Sequence, residues 1–277
     1  ARETIELGDF ARTRDLSPLA AAIRRMCAAA NGAPVLGVCI GFPANLDPDA
    51  AAIVSYAAMD IQQPTSFAQV FPAFWREVEL PVYLENDANL ACEGEAFLRR
   101  GAGGAANMLY LSIGSGCGGA VRLDGKLRRG ARCRAGEVGA MLLQPALGAP
   151  GRSAARETLE DAVCLAALER RFGAALRDGA QPGEASAQAM RDYLCGPLSG
   201  AVYSLVMTLD VELCVLAGIV PGALGMQLCT QVSEALRAAL PESTPVRVEP
   251  SVSADAGVIG AAATVFERSL DALLGSG

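Results

Sequence analysis

The sequence contains no histidine. That excludes a Ser-His-Asp triad, an imidazole base and a histidine-ligated zinc site. Positive charge is also scarce: 23 Lys and Arg stand against 30 Asp and Glu, for a net charge of −7. This balance speaks against a nucleic-acid partner held through its phosphates and against an anionic membrane surface. No two of the nine cysteines stand as a C-x-x-C pair, and their number is odd. A secreted disulfide framework is therefore not expected, and a reducing cytoplasm is. The longest apolar stretch, residues 202–220, is interrupted by Asp210 and Glu212, so no membrane-spanning helix is read. The first 15 residues are rich in charge and do not read as a signal peptide. No repeat of solenoid period and no biased tract beyond alanine richness is found.

Apolar residues are what the chain has in plenty. They make up 52% of 277 residues, enough to bury a sizeable core and comfortable for two domains. The patterning alternates helix and strand, which points to α/β layers. Helices are predicted over residues 16–30, 68–78, 87–100, 155–176, 185–209, 224–240 and 257–274, with Asp255 as a candidate cap of the last. Strands are predicted over 35–40, 82–84, 108–113, 213–220 and 246–248, with a hairpin of 120–123 and 126–127 around Asp124-Gly125. Residues 101–106, rich in glycine and alanine, suit a domain junction, and 145–153 a loop.

Two segments concentrate chemistry. The first is Glu85-Asn86-Asp87-Ala88-Asn89, between a strand and a helix. An ionised Asp87 at a helix start can accept a proton from a substrate hydroxyl. Asn86 and Asn89 can orient a polyhydroxy ligand. The same residues are also the preferred helix caps, and the two uses can share one turn. The second is Gly114-Ser115-Gly116-Cys117-Gly118-Gly119, where exposed N–H groups can nest an anion. A tight hairpin would use the same glycines, and the Lys-Ser/Thr ending of a P-loop is missing. Cys117 in this turn is expected to be accessible and sensitive to alkylation.

Further acidic candidates are Glu137, between Gly136 and Gly139, and Glu157 near a helix start. Each can accept a sugar hydroxyl or be an ordinary surface acid. Lys126, Arg128, Arg129, Arg132 and Arg134 form a basic cluster that could draw in a nucleotide or simply be solvated.

In order and spacing these motifs resemble the ROK family of sugar kinases and sugar-responsive repressors, over essentially the whole chain. The segments are VLGVCIGFP (35–43), PVYLENDAN (81–89), LYLSIGSGCGGAVRLDGKL (109–127), RAGEVG (134–139), LCVLAGIV (213–220) and DAGVIGAA (255–262). The resemblance implies a two-domain actin/hexokinase-like (ribonuclease H-like) α/β fold with an interdomain cleft. One domain is expected at 1–105 plus 257–277, the other at 106–256. It implies ATP-dependent phosphorylation of a hexose or N-acetylhexosamine hydroxyl, with Mg²⁺ on the phosphates. Asp87 would be the catalytic base. Asn86, Glu137 and Glu157 would bind sugar. Gly114, Ser115, Gly116 and Gly118 would cradle phosphate, and Gly218 would lie on the adenine side. A homodimer is expected, with the helices between 155 and 209 as its interface.

Departures from the family pattern qualify these expectations. The Asp-x-Gly-Gly-Thr phosphate motif of the family's first strand is not found, and the chain reads as beginning in the third strand. Ala140 stands at the place of a zinc- and sugar-binding histidine, and the expected zinc loop, 148–155, has no cysteine. No zinc is therefore expected. Ala58 stands at the place of a sugar-contacting Asn, and Ala217-Gly218 at that of a Gly-Gly pair. A non-catalytic sugar-binding or regulatory relative is the second reading, and a scaffolding subunit the third.

Overall fold

The computed structural model describes residues 2–101, 104–143, 157–173, 176 and 181–275. The chain opens with a short helix α1 (Phe10–Thr13) and α2 (Ser17–Ala29), then β1 (Val38–Phe42). β1 starts three residues later than the apolar run suggested. Val35 and Leu36 lie outside it, 38% and 46% exposed. A small antiparallel sheet follows, of β2 (Asn45–Asp47), β3 (Ala52–Ser55) and β4 (Thr65–Ser66), which the sequence reading did not contain. The helix predicted over 68–78 is two helices, α3 (Phe67–Val70) and α4 (Pro72–Glu77). Phe71 takes φ −125° and ψ 64° between them, because the residue before a proline is pushed out of the helical region.

Next come β5 (Val82–Asn86) and α5 (Asp87–Leu98), then the strands β6 (Met108–Ile113), β7 (Cys117–Leu123) and β8 (Lys126–Arg128). α6 (Leu159–Val163) and α7 (Leu165–Phe172) replace the single helix predicted from 155, with Cys164 extended between them. α8 (Glu184–Leu209) matches its prediction and contains Pro197. β9 (Leu213–Ala217) stops short of Val220, because Gly218 takes φ +95° and turns the chain into α9 (Ile219–Leu224). A Cβ there would lie 2.7 Å from the Ile113 nitrogen, so only glycine fits both the angle and the space. α10 (Met226–Ala239), β10 (Arg247–Pro250) and α11 (Ala256–Leu274) complete the chain. Asp255 precedes α11 but makes no side-chain cap; it pairs instead with Arg2 at 2.9 Å.

The main sheet has the order β10-β9-β6-β7-β8. β10, β9 and β6 run parallel, while β7 runs antiparallel to both its neighbours, β6 and β8. Alternate residues of β6 face opposite layers. Leu109, Leu111 and Ile113 pack with Leu194, Leu198 and Val202 of α8 and Leu228 and Val232 of α10. Met108 and Tyr110 pack on the other face with Ala88 and Cys92 of α5. Burial on both faces is why the strand reads as one apolar run. A separate core of Phe42, Phe67, Phe71 and Phe74 joins the small sheet to α3 and α4.

β1 and β5 form a parallel pair in which Gly41 faces Glu85 and Phe42 faces Asn86. α5 leaves the end of β5 and crosses α11 at backbone distance. A Cβ on Gly94 would collide with the Ala256 carbonyl, and one on Gly260 with the Leu90 carbonyl. A buried network fixes the far end of α5. Arg99 donates to Glu95 at 2.9 Å, to the Pro250 carbonyl at 2.9 Å and to Glu249, while Glu95 accepts from the Val252 amide at 2.9 Å. The start of α5, where Asp87 sits, is thus set by packing along its whole length.

Candidate active site

A cleft of about 1070 Å³ opens where β5 ends and β6 turns into β7. Asn86 and Asp87 lie on one wall, and Gly114, Ser115, Gly116, Cys117 and Gly118 on another. The two motifs meet closely: Gly118 lies 3.6 Å, measured from a built Cβ, from the Ala88 methyl. This is the crevice at strand carboxyl ends where open α/β sheets collect ligands.

The two roles that compete for the acidic turn are divided between neighbours. Asn86 caps α5: its Oδ1 accepts from Ala88 N at 3.0 Å and Asn89 N at 3.2 Å, and its Nδ2 donates to the Ala44 carbonyl at 3.2 Å. Asp87 is exposed in the cleft, with one oxygen accepting from its own helix at Ala88 N, 2.9 Å. Its other carboxylate oxygen is open to the cleft and can accept a proton. Asn89 does not reach the cleft. It is buried, and its Nδ2 donates to Glu85 Oε1 at 2.8 Å.

Glu85 lies behind the turn, only 3% exposed. Its Oε1 also accepts from Asn86 N at 3.0 Å, and its Oε2 accepts from Arg129 Nε and Nη2 at 2.8 and 2.6 Å. The basic cluster of residues 126–134 is accordingly dispersed. Arg129 serves Glu85, Arg128 pairs with Asp124 at 2.7 Å, and Arg134 lines the cleft and donates to Ser55 Oγ at 3.3 Å.

Glu137 reaches the cleft on a segment laid across β7. A Cβ on Gly119 would sit 2.9 Å from the Gly136 carbonyl, and one on Gly139 would collide with the Cys117 carbonyl. The bare strand and the bare loop therefore nest, and Glu137 projects from between them. Asn45, with its amide turned so that nitrogen faces acceptors, donates to Glu137 Oε1 at 2.7 Å and to the Cys133 carbonyl at 3.2 Å. Partial burial raises the Glu137 carboxyl above its usual range; Arg134 opposes this, while Glu160 and Asp87 add to it. Tyr56 also lines the cleft, and burial together with the Asp87 charge raises its hydroxyl.

The structure does not bring Glu157 to this cleft. It lines a second cavity, of about 570 Å³, with Tyr193 and Pro197 of α8. Glu160 is in the cleft instead, and sequence reasoning missed it. The signal was present in Thr158-x-x-Asp161, a reciprocal cap. Asp161 N donates to Thr158 Oγ1 at 3.2 Å and Thr158 N to Asp161 Oδ2 at 2.9 Å. That cap starts the helix at Leu159 and puts Glu160 in its first turn.

Gly218 is not among the cleft-lining residues; it packs on the backbone of Ile113 at the base of the glycine turn. Its successor Ile219 reaches within 4.0 Å of a Cβ built on Gly114. Cys117 is in the cleft wall but only 6% exposed, and burial lifts its thiol to about 12, so it is not the reactive group the sequence suggested. All nine cysteines are free. Asp60 and Gln62 also line the cleft, as does Ala58. Ala140 ends a short 3₁₀ turn, and residues 148–155 of the expected zinc loop lie outside the described residues.

The ROK family model matches residues 11–268. A glucokinase of Halalkalibacterium halodurans is 34% identical over 141 residues, covering 48% of this chain and 40% of that protein. The bifunctional enzyme NanE/NanK of Brucella melitensis is 34% identical over 189 residues, covering 66% of this chain and 35% of its own length. Each match thus spans less than half of the curated relative. The crystal structure of a ROK hexokinase from Thermus thermophilus superposes with a TM-score of 0.69 at 26% identity, covering 92% of this chain and 86% of that one.

Proposed function

The chain belongs to the ROK family and has its hexokinase-like α/β fold, and from that premise we propose that it is an ATP-dependent sugar kinase acting on a hexose or N-acetylhexosamine. The observation that supports this best is the division of labour at residues 86 and 87: Asn86 caps the helix, and Asp87 is left open to the cleft that the glycine turn also lines. Glucokinase and NanE/NanK activities in the relatives agree with this reading.

In the proposed reaction a sugar hydroxyl oxygen attacks the γ-phosphorus of ATP. Its O–H proton passes to the free oxygen of Asp87, a new P–O bond forms, and the bond between the γ-phosphorus and the β,γ-bridging oxygen breaks, releasing ADP. Asn45, Asn86, Glu137 and Glu160 are placed to orient the sugar, with Glu160 taking the part expected of Glu157. Gly114, Ser115, Gly116 and Gly118 allow phosphates close to the backbone, and Gly218 with Ile219 lies toward the base. Catalysis of this kind is mostly positioning and charge stabilisation.

Among the described residues no group of three ligating side chains could hold a metal ion by itself. Mg²⁺ is proposed to arrive with the nucleotide, since it binds through substrate phosphates, water and at most one or two carboxylates. The carboxylates that line the cleft are Asp60, Asp87, Glu137 and Glu160, and any that meet it would come from these. When bound it would neutralise phosphate charge. Zinc independence is also proposed, supported by alanine at position 140.

Lobes of 1–105 with 257–277 and of 106–256 remain the proposed division; one core confined to residues 16–84 and another to 109–248 favour two lobes, and Ala88 and Cys92 of α5 bridge them by packing on Met108 and Tyr110. A cytoplasmic location is proposed from the nine free thiols, and no described helix is long and apolar enough to cross a membrane. Exposed Tyr203 and Met207 on α8 suit a homodimer interface, which sedimentation at micromolar concentration would test.

The deciding experiment mixes the protein with Mg-ATP and a panel of hexoses and N-acetylhexosamines and follows ADP. Sugar-dependent ADP release is expected. Sugar binding by calorimetry with no turnover on any member would overturn the kinase reading in favour of a regulatory one.

A further inference from the structure

We propose that the buried Glu85 and the half-buried Arg129 form a clamp that positions the Asp87 turn against the Glu137 loop. The inference deepens the kinase reading and rests on it for its catalytic consequence. Neither residue lines the cleft, so neither touches substrate; their effect passes through the residues they hold.

The clamp reaches both walls. On one side Glu85 is the last residue but one of β5, directly before Asn86 and Asp87. Its Oε1 takes the Asn86 N–H and the Asn89 amide, pinning the first turn of α5 from below. On the other side Arg129 closes a loop. Its carbonyl accepts from Ala135 N at 3.0 Å, and Gly136 and Glu137 follow at once. The bidentate bond from Arg129 to Glu85 Oε2 joins these two supports. A planar guanidinium fork fixes angle as well as distance, which a lysine ammonium cannot do. The Glu85 side chain is 4% exposed and the Arg129 side chain 36%, so the carboxylate is shielded from solvent while the guanidinium spans from it to the surface.

The test separates positioning from folding. Removing Arg129 alone leaves the buried Glu85 charge unpaired and strains the fold, so the central variant is the double substitution Glu85→Gln with Arg129→Met, which removes both charges at similar size. Two readouts are taken on the folded protein: hydrogen exchange at residues 130–137, and steady-state kinetics. Exchange at 130–137 is expected to rise at least about tenfold while β6 amides stay unchanged. The KM for sugar should rise and kcat fall, together at least about tenfold in kcat/KM, with the KM for ATP within about twofold. Arg129→Lys should recover only part of this.

Unchanged exchange at 130–137 in the folded double variant overturns the clamp. Raised exchange with wild-type kinetics overturns the catalytic consequence. Should the wild-type protein turn over no sugar, the kinase reading fails by itself, and exchange still decides whether the clamp holds the loop.

Discussion

The backbone N–H of Cys117 donates to Glu160 Oε2 at 2.8 Å, tying the first turn of α6 to the glycine turn between β6 and β7. Gly116 is bare at the same place: a Cβ there would lie 2.8 Å from that carboxylate oxygen. The carboxylate therefore holds the turn with one oxygen and leaves the other for a ligand. Glu160→Gln keeps an acceptor for Cys117 but removes the charge. It should raise the sugar KM at least about tenfold and leave thermal stability nearly unchanged. Glu157→Gln, in the other cavity, should stay within about twofold of wild type. Sugar titrations at saturating ATP check both, and equal effects of the two substitutions would contradict the assignment.

Asn86 and Asp87 should separate in the opposite sense. Asp87→Asn removes the proton acceptor while its side-chain oxygen still accepts from Ala88 N, so kcat should fall at least about a hundredfold at a melting temperature close to wild type. Asn86→Ala removes the cap of α5 and the bond to Ala44, costing about 1 kcal/mol or somewhat more, roughly 2–5 °C in melting temperature for a chain of this size. Calorimetric melting beside kcat at saturating sugar distinguishes them, because the sugar contact proposed for Asn86 shows in KM rather than in kcat.

Much of this site was legible because its chemistry is local. The acidic turn and the glycine turn each sit at a strand end that apolar periodicity located, and the Gly-Glu-x-Gly spacing followed directly. What was not legible depended on contacts distant in sequence. Glu157 and Glu160 differ only in where the helix begins, and the reciprocal Thr158–Asp161 cap decides that. Asn89 looked like a ligand-binding amide until Glu85, four residues back, turned it inward. The small sheet of β2, β3 and β4 was missed because its strands are two to four residues long, too short for alternation to stand out. β9 was read three residues too long because Val220 is as apolar as the strand before it; only the +95° angle at Gly218 ends it.

The crossing of α5 on α11 places Asp87 and should be intolerant of a single methyl group. Gly260→Ala drives a Cβ into the Leu90 carbonyl, which is backbone and has nowhere to move. A loss of at least about 3 kcal/mol is expected, roughly 6–12 °C in melting temperature. Gly257→Ala on the same helix is the control. Nothing lies within 4 Å of its Cβ, so it should be neutral or stabilising by up to about 1 kcal/mol. Thermal unfolding of the pair tests the packing without reference to activity, and matched midpoints would refute it.

Glu137 should trade stability for binding, and pH should expose the trade. Burial raises its carboxyl above the ordinary 4.5, with Glu160 and Asp87 adding and Arg134 opposing. Below pH 4.5 both folded and unfolded chains hold the proton, and the group contributes nothing. As pH rises past that value the unfolded chain ionises first, so stability falls until the folded carboxyl has ionised as well. The cost then persists at neutral pH. Glu137→Gln can still accept from Asn45 and removes the charge, so it should melt above wild type at pH 7 and lose that advantage at pH 4. Its sugar KM should rise at the same time, because the neutral amide is a weaker acceptor for a hydroxyl. Melting curves across pH 4 to 7, with sugar kinetics at pH 7, check both halves; a variant less stable than wild type at pH 7 would show that the carboxylate is held by its partners rather than strained by burial.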